Sequence, residues 1–224
     1  MENNANLKGY RVCLEAGHGY HDDAVYDSGA NNRGIHEHVL NAAQVEHVAK
    51  LLEAQGCGVT KVICTKGNGL SLRERGLQGK GHHLFVSFHH NAANKKAQGC
   101  EVFSHTLGTA TDRKLAGELA DALSKALNFA NRGAKKAQLG VLKSVPETVA
   151  AAVLTESYFM DNDSLDTEQL EPLSLKAADA IADALAAFLL ANCKPKRVVA
   201  APVKADLPPA EPQKVEPSKL PWKK

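Results

Sequence analysis

Five short apolar runs alternate along the chain with longer stretches of helical periodicity. The runs are Val12 to Leu14, which stops at Glu15, then Val59 to Thr65, Leu84 to Phe88, Cys100 to Ser104, and Val149 to Thr155. Runs of this length, rich in Val and Leu and bounded by turn residues, predict strands buried in a parallel sheet. The last run contains AAAVL, which also fits a helix. Between the runs, Leu40, Ala43, Val48, Leu51 and Leu52 recur at roughly helical spacing, with Gly56 as a stop. Ser71 and Glu74 have capping-box spacing. Leu115, Leu119, Ala122, Leu123, Ala126 and Leu127 predict an amphipathic helix closed by Asn131-Arg132-Gly133. The clearest periodicity belongs to a final helix carrying Leu175, Ala178, Ile181, Ala182, Leu185, Phe188 and Leu189. Strands alternating with helices predict an α/β fold: a single domain with a mostly parallel twisted sheet flanked by helices on both faces.

The pattern ends at about residue 192. From Lys194 onward the chain holds seven of its nine prolines, and such a segment cannot build a core. The predicted organisation is an N-terminal extension over 1–9, one domain over 10–192, and a Pro/Lys/Ala-rich basic tail over 193–224. The formal charge of +2 hides an asymmetry, because eight basic and three acidic residues fall after Cys193. The domain is thus slightly acidic and the tail basic. Such a tail suits contact with an anionic wall polymer or lipid headgroups, or serves as a solubilising linker. Nucleic-acid binding is not expected, since the basic residues lack a motif or an aromatic platform, and Trp222 stands alone. No stretch of about 18 apolar residues predicts a membrane span, and MENNANLKG lacks a charged region followed by an apolar one. Synthesis in the cytoplasm without a conventional signal is the expectation. The five cysteines form no CxxC pair and are odd in number, which predicts a reduced protein with Cys13, Cys64 and Cys100 packed as small hydrophobes in strands.

Four polar residues sit where chemistry is expected. In open α/β sheets, ligands bind outside the carboxyl ends of strands. His18, His89 and Glu156 each follow an apolar run, and Glu37 opens the helix after the first loop. Two histidines and two carboxylates can supply three zinc ligands plus a general base. Spacing alone does not decide the matter, because no HExxH pair is present. Glu37 is equally explained as an acidic residue favoured at a helix start. His36 and His38 are expected to be solvated or to support the site, and His82 and His83 to be solvated. His89 and His90 point to opposite faces of a strand, so only one can face the crevice. Asn91 is expected to shape the turn.

The chain resembles the zinc-dependent N-acetylmuramoyl-L-alanine amidases of the amidase-3 type. The matching blocks are LEAGHG at 14–19, DSGA at 27–30, EHVLNAA from Glu37, SLRERG at 71–76, LFVSFHHNA at 84–92, GCEVF at 99–103, NRG at 131–133, LGVLK at 139–143 and AVLTESYFMDN at 152–162. The ordered set covers most of residues 10–190. Position by position, the resemblance implies that His18, Glu37 and His89 bind one Zn2+ and that Glu156 is catalytic. The implied substrate is peptidoglycan, cut between the lactyl group of N-acetylmuramic acid and the L-alanine of the stem peptide. Arg75 matches the family's arginine and reads as structural. Departures are Glu15 in place of Asp, Tyr158 in place of Gly, His90 in place of a small residue, a longer loop over Tyr20 to Val25, and Ala151 and Ala152 where proline is usual.

The interval from Asn131 to Val149 is too short for a sizeable inhibitory helix, so activity without an activator is expected. A monomer acting on the wall after release or lysis, as a phage-type endolysin or a cellular autolysin, fits these features. The alternatives are a peptidoglycan-binding module without turnover and a zinc hydrolase of a different amide.

Overall fold

The computed structural model describes residues 6–21 and 25–196. The tail beyond Lys196 with Trp222, the first five residues and the loop segment 22–24 lie outside the described residues.

The chain begins with strand β1 (Arg11–Ala16), followed by two small ribbons, β2 (Gly19–His21) with β3 (Val25–Asp27) and β4 (Asn31–Asn32) with β5 (Ile35–His36). Next come α1 (Glu37–Ala54), β6 (Gly58–Val62), α2 (Leu72–Leu77), β7 (Leu84–Asn91), β8 (Cys100–His105) and α3 (Ala110–Leu127). The remaining elements are β9 (Asn131–Ala137), the single turn α4 (Gly140–Lys143), β10 (Ala151–Phe159) and α5 (Thr167–Asn192). One six-stranded sheet has the order β6-β1-β7-β10-β8-β9, and every neighbouring pair is parallel except β10 with β8. The carboxyl ends of β6, β1, β7 and β10 therefore share one rim with the amino ends of β8 and β9.

Strand periodicity divides the core between two faces. Val12, Leu14, Leu84, Val86, Phe88 and Val153 pack under α1, α3 and α5, while Cys13, Phe85 and Leu154 pack on the side of α2 and α4. The fold is the expected α/β sheet with helices on both faces. The Ser71–Glu74 capping box forms, with Glu74 Oε2 accepting from the Ser71 backbone at 2.9 Å. All five cysteines are free, four of them buried. Burial pushes the Cys13 and Cys100 thiols up to about 12, which leaves them inert. Cys64 lies just past the end of β6 rather than within it.

Three expectations need correction. Asn131-Arg132-Gly133 does not close α3. Asn128 does so in the left-handed conformation, φ 56°, and NRG opens the edge strand β9. The segment NRGAKKA has no β-branched residue, so periodicity could not announce it. The last apolar run does form the expected strand, held between β7 and β8, but Glu156 lies inside that strand rather than after it. His82 and His83 are each 4% exposed rather than solvated. Arg11 N donates to His83 Nδ1 at 3.0 Å, so His83 Nε2 carries the proton and donates to Lys194 O at 2.9 Å. His82 Nε2 contacts Thr60 Oγ1 at 2.9 Å. Lys196 N also donates to Gly9 O at 2.9 Å, drawing the C-terminal end of the described chain against its beginning at the amino pole of the sheet.

Candidate metal centre

The turn after β1 carries His18 in the left-handed region, φ 65°, an uncommon conformation for a residue with a Cβ. Its surroundings hold it there. Gly17 N donates to Phe88 O at 3.0 Å, and the Arg75 guanidinium donates to His18 O at 2.5 Å and Tyr20 O at 3.2 Å. Arg75 itself is fully buried, also donating to Leu70 O and pairing with the buried Glu15 at 3.0 Å. Ser87 Oγ donates to the other Glu15 oxygen at 2.5 Å.

This scaffold brings three of the four sequence-predicted residues into contact. His18 Nε2 lies 3.0 Å from Glu37 Oε2, and His89 Nδ1 lies 2.9 Å from Glu37 Oε1. Candidate ligand atoms of His18, Glu37 and His89 all fall within 4.8 Å of one another. Glu156 occupies the register position beside His89 on the adjacent strand, and its Oε2 is buried without a hydrogen-bond partner among the described residues. The predicted crevice therefore gathers the turn after β1, a helix start and one position within each of two adjacent strands, His89 lying inside β7 rather than after it.

The electrostatics are those of a crowded acid–base cluster. Burial would depress His18, but the Glu37 and Asp27 carboxylates prevail and raise it to about 9. Burial likewise opposes charge on Glu37, yet the two imidazoles hold its carboxyl far below the usual range. Burial pushes Glu156 up to about 7 against the pull of His89, with Glu37 and Glu101 adding to the rise.

The donor set fits a metal of zinc's preferences, since two imidazoles and one carboxylate form a three-ligand set with room for a fourth position. Its outer contacts fit as well. Asp27 Oδ2 accepts from His18 Nδ1 at 2.8 Å, which turns Nε2 inward, as a carboxylate behind a ligating histidine does. Ala30 N donates to Glu37 Oε2 at 2.9 Å and His90 N to Oε1 at 3.1 Å. A Cβ on Gly17 would fall on the His89 imidazole, and one on Gly29, φ 66°, would crowd Glu37 and His18. Gly17→Ala is therefore expected to displace His89 and weaken zinc binding by at least tenfold with near-normal far-UV circular dichroism. Equilibrium dialysis against zinc measures this.

Sequence reasoning missed Asp27 and Asn41, although both lie in blocks that carry the resemblance. Asn41 Nδ2 approaches Glu37 Oε1 at 3.4 Å, and its Oδ1 contacts His90 Nδ1 at 2.7 Å. Asp27 reaches His18 through the β2–β3 ribbon, and no spacing rule announces that contact. His38 is buried and donates to Gly17 O at 2.9 Å, so it supports the turn, while His36 is half-buried. His90 neither lines the cleft nor faces solvent. It is buried on the opposite face, with its ring edge-on to Tyr158 at 4.8 Å. Asn91 does shape the turn, accepting from Ala92 N, and it also donates to Glu101 at 2.9 Å.

Beside the cluster lies a cavity of about 280 Å³, bordered by His18, His89, Asp27, Leu72, Leu139 and Val141. A larger cavity of about 600 Å³ sits at the amino ends of β1 and β6 and contains none of the four residues. Chemistry rather than volume marks the candidate crevice. No helix among the described residues is long and apolar enough to cross a membrane.

Comparison with known proteins agrees with this picture. The profile of the amidase-3 family, described as N-acetylmuramoyl-L-alanine amidase, matches residues 12–187. The Bacillus subtilis (strain 168) protein YqiI is 30% identical over 187 residues, covering 81% of this chain and 86% of its own length. An N-acetylmuramoyl-L-alanine amidase from Clostridium difficile 630 shares the fold with a TM-score of 0.72 and 22% identity, over 85% of this chain and 100% of that one. The amidase Ami1 from Mycobacterium smegmatis does so with a TM-score of 0.71 and 20% identity, over 84% and 100%. Since the matched segment starts in the first strand, reaches into the last helix and includes all four residues of the crevice, the chain belongs to the N-acetylmuramoyl-L-alanine amidases of the amidase-3 family.

Proposed function

We propose that residues 10–192 form a zinc-dependent amidase that cleaves the bond between the lactyl group of N-acetylmuramic acid and the L-alanine of the stem peptide. The observation that carries this reading is the triad His18, Glu37 and His89 beside the unpartnered carboxyl oxygen of Glu156. His18 Nε2, Glu37 and His89 Nδ1 would hold the ion. Zinc supplies Lewis acidity there, lowering the pKa of a water to about 7 and polarising a carbonyl. Glu156 takes the water's proton as general base and returns it to the leaving alanine nitrogen. Asp27 keeps the His18 Nδ1 proton in place, so Nε2 is the ring nitrogen that would give up its proton to a metal. Leu72, Leu139 and Val141 give the crevice an apolar wall that excludes water from one side.

On this reading the enzyme acts on peptidoglycan as a monomer, and the basic tail contacts an anionic wall polymer. The test is a digest of purified peptidoglycan with and without chelator and zinc add-back. New N-terminal alanine that vanishes with chelator and returns with zinc is the expected result. New reducing sugar ends, or sedimentation with the wall without product, would overturn the assignment.

A further inference from the structure

Beyond Glu156 the rim continues as an ordered row. His89, Glu156 and Glu101 hold neighbouring register positions on β7, β10 and β8, and directly paired residues project to the same face. Glu101 is 4% exposed and fully engaged. Asn91 Nδ2 donates to its Oε1, while Arg132 Nε and Lys135 Nζ both donate to Oε2 at 2.5 Å. Two cations on one carboxylate leave an excess positive charge at the rim.

The backbone is shaped to present one of them. Cys100 pairs with Asn131 and Glu101 with Gly133, so the register skips Arg132, and Gly133 takes φ 80°. Such a bulge re-aims the side chain it carries. The guanidinium lies over the Phe159 ring, 4.9 Å from its centroid, with Nε tied to Glu101. Its two terminal nitrogens have no partner among the described residues, and the side chain is 38% exposed, beside Lys135 at 36%. A guanidinium with one edge locked and the other open offers paired N–H groups to a carboxylate.

We infer that Arg132 and Lys135 form a subsite for a carboxylate of the substrate's peptide, on the amine side of the scissile amide. This rests on the amidase reading above. The lactyl carboxyl is consumed in the amide, so free carboxylates belong to the peptide. Strand spacing puts the subsite about 10 Å from Glu156. An extended peptide advances about 3.4 Å per residue, so the carboxylate belongs to the second or third residue.

The test uses synthetic muramoyl tripeptides that carry either a carboxylate or the matching carboxamide at the second or the third residue. The wild-type protein should show a KM about 10- to 100-fold lower for the carboxylate at one of these positions, with kcat little changed. Arg132→Gln should abolish that preference by bringing the carboxylate KM up to the carboxamide one, Arg132→Lys should restore part of it, and Lys135→Met should weaken it. Calorimetric binding of the released tripeptides should follow the same order. Equal KM values for both forms, or an Arg132→Gln loss that falls equally on the carboxamides, overturns the subsite. Cleavage of none of the peptides overturns the amidase reading itself. If Arg132→Gln folds poorly, the wild-type preference and Lys135→Met decide.

Discussion

Glu156→Gln is expected to lower turnover by about 10²- to 10⁴-fold with zinc binding unchanged. Among the described residues the side chain belongs to none of the candidate ligand contacts and its Oε2 has no hydrogen bond to lose, so glutamine fits the same space. Stability separates the chemistry from the fold. In the metal-free protein, burial keeps Glu156 protonated up to about 7, whereas the unfolded chain releases that proton near 4.5. The native state therefore binds more protons between these values, and the native carboxyl loses stability as pH rises through them. Glutamine has no such slope. Urea unfolding of the metal-free proteins should show the variant gaining on the parent from pH 5 to pH 8. Near-normal turnover in Glu156→Gln would remove it as the base.

Arg75→Met should have the largest effect on folding, a loss of about 3–5 kcal/mol, because it strands the buried Glu15 carboxylate without its partner. That is a large share of a typical stability of about 5–15 kcal/mol. The double variant Glu15→Gln with Arg75→Met removes the stranded charge and should recover much of the loss, which a double-mutant cycle measures. Zinc affinity should not recover. The guanidinium also holds the His18 and Tyr20 carbonyls, and without it the turn that keeps His18 at φ 65° relies on the bonds of Gly17 to Phe88 and His38 and of the His18 ring to Asp27. A drop of about 10- to 100-fold in metal affinity is expected in the refolded double variant. Full zinc affinity in that variant would limit Arg75 to a role in folding.

His18, Glu37, His89 and Glu156 were legible in the sequence because each stands at or near a boundary of an apolar run or helix, where a parallel sheet gathers its functional groups. The β8–β9 end was not. Strand β9 sets Lys135 between Gly133 and Ala137 on its half-buried face and leaves Ala134 and Lys136 exposed, so no hydrophobic alternation marks it. His82 and His83 look like loop residues because their partners, Thr60, Arg11 and Lys194, are distant in sequence. The same holds for Asp27 behind His18 and for Arg132 on Glu101, whose contacts exist only after the chain has closed. Local pattern reports which face a residue occupies, and long-range hydrogen bonds decide what a polar residue does there.

The contact between Lys196 N and Gly9 O has a practical consequence. Both ends of the described chain emerge together at the amino pole, separated from the crevice by the length of β1, about 20 Å. An affinity handle or a surface linker attached at Asn6 or Lys196 departs from the side opposite the crevice. Immobilised protein should keep its crevice open to a polymer too large to diffuse, and a permutant joined through this seam, with new ends elsewhere, would keep the same sheet.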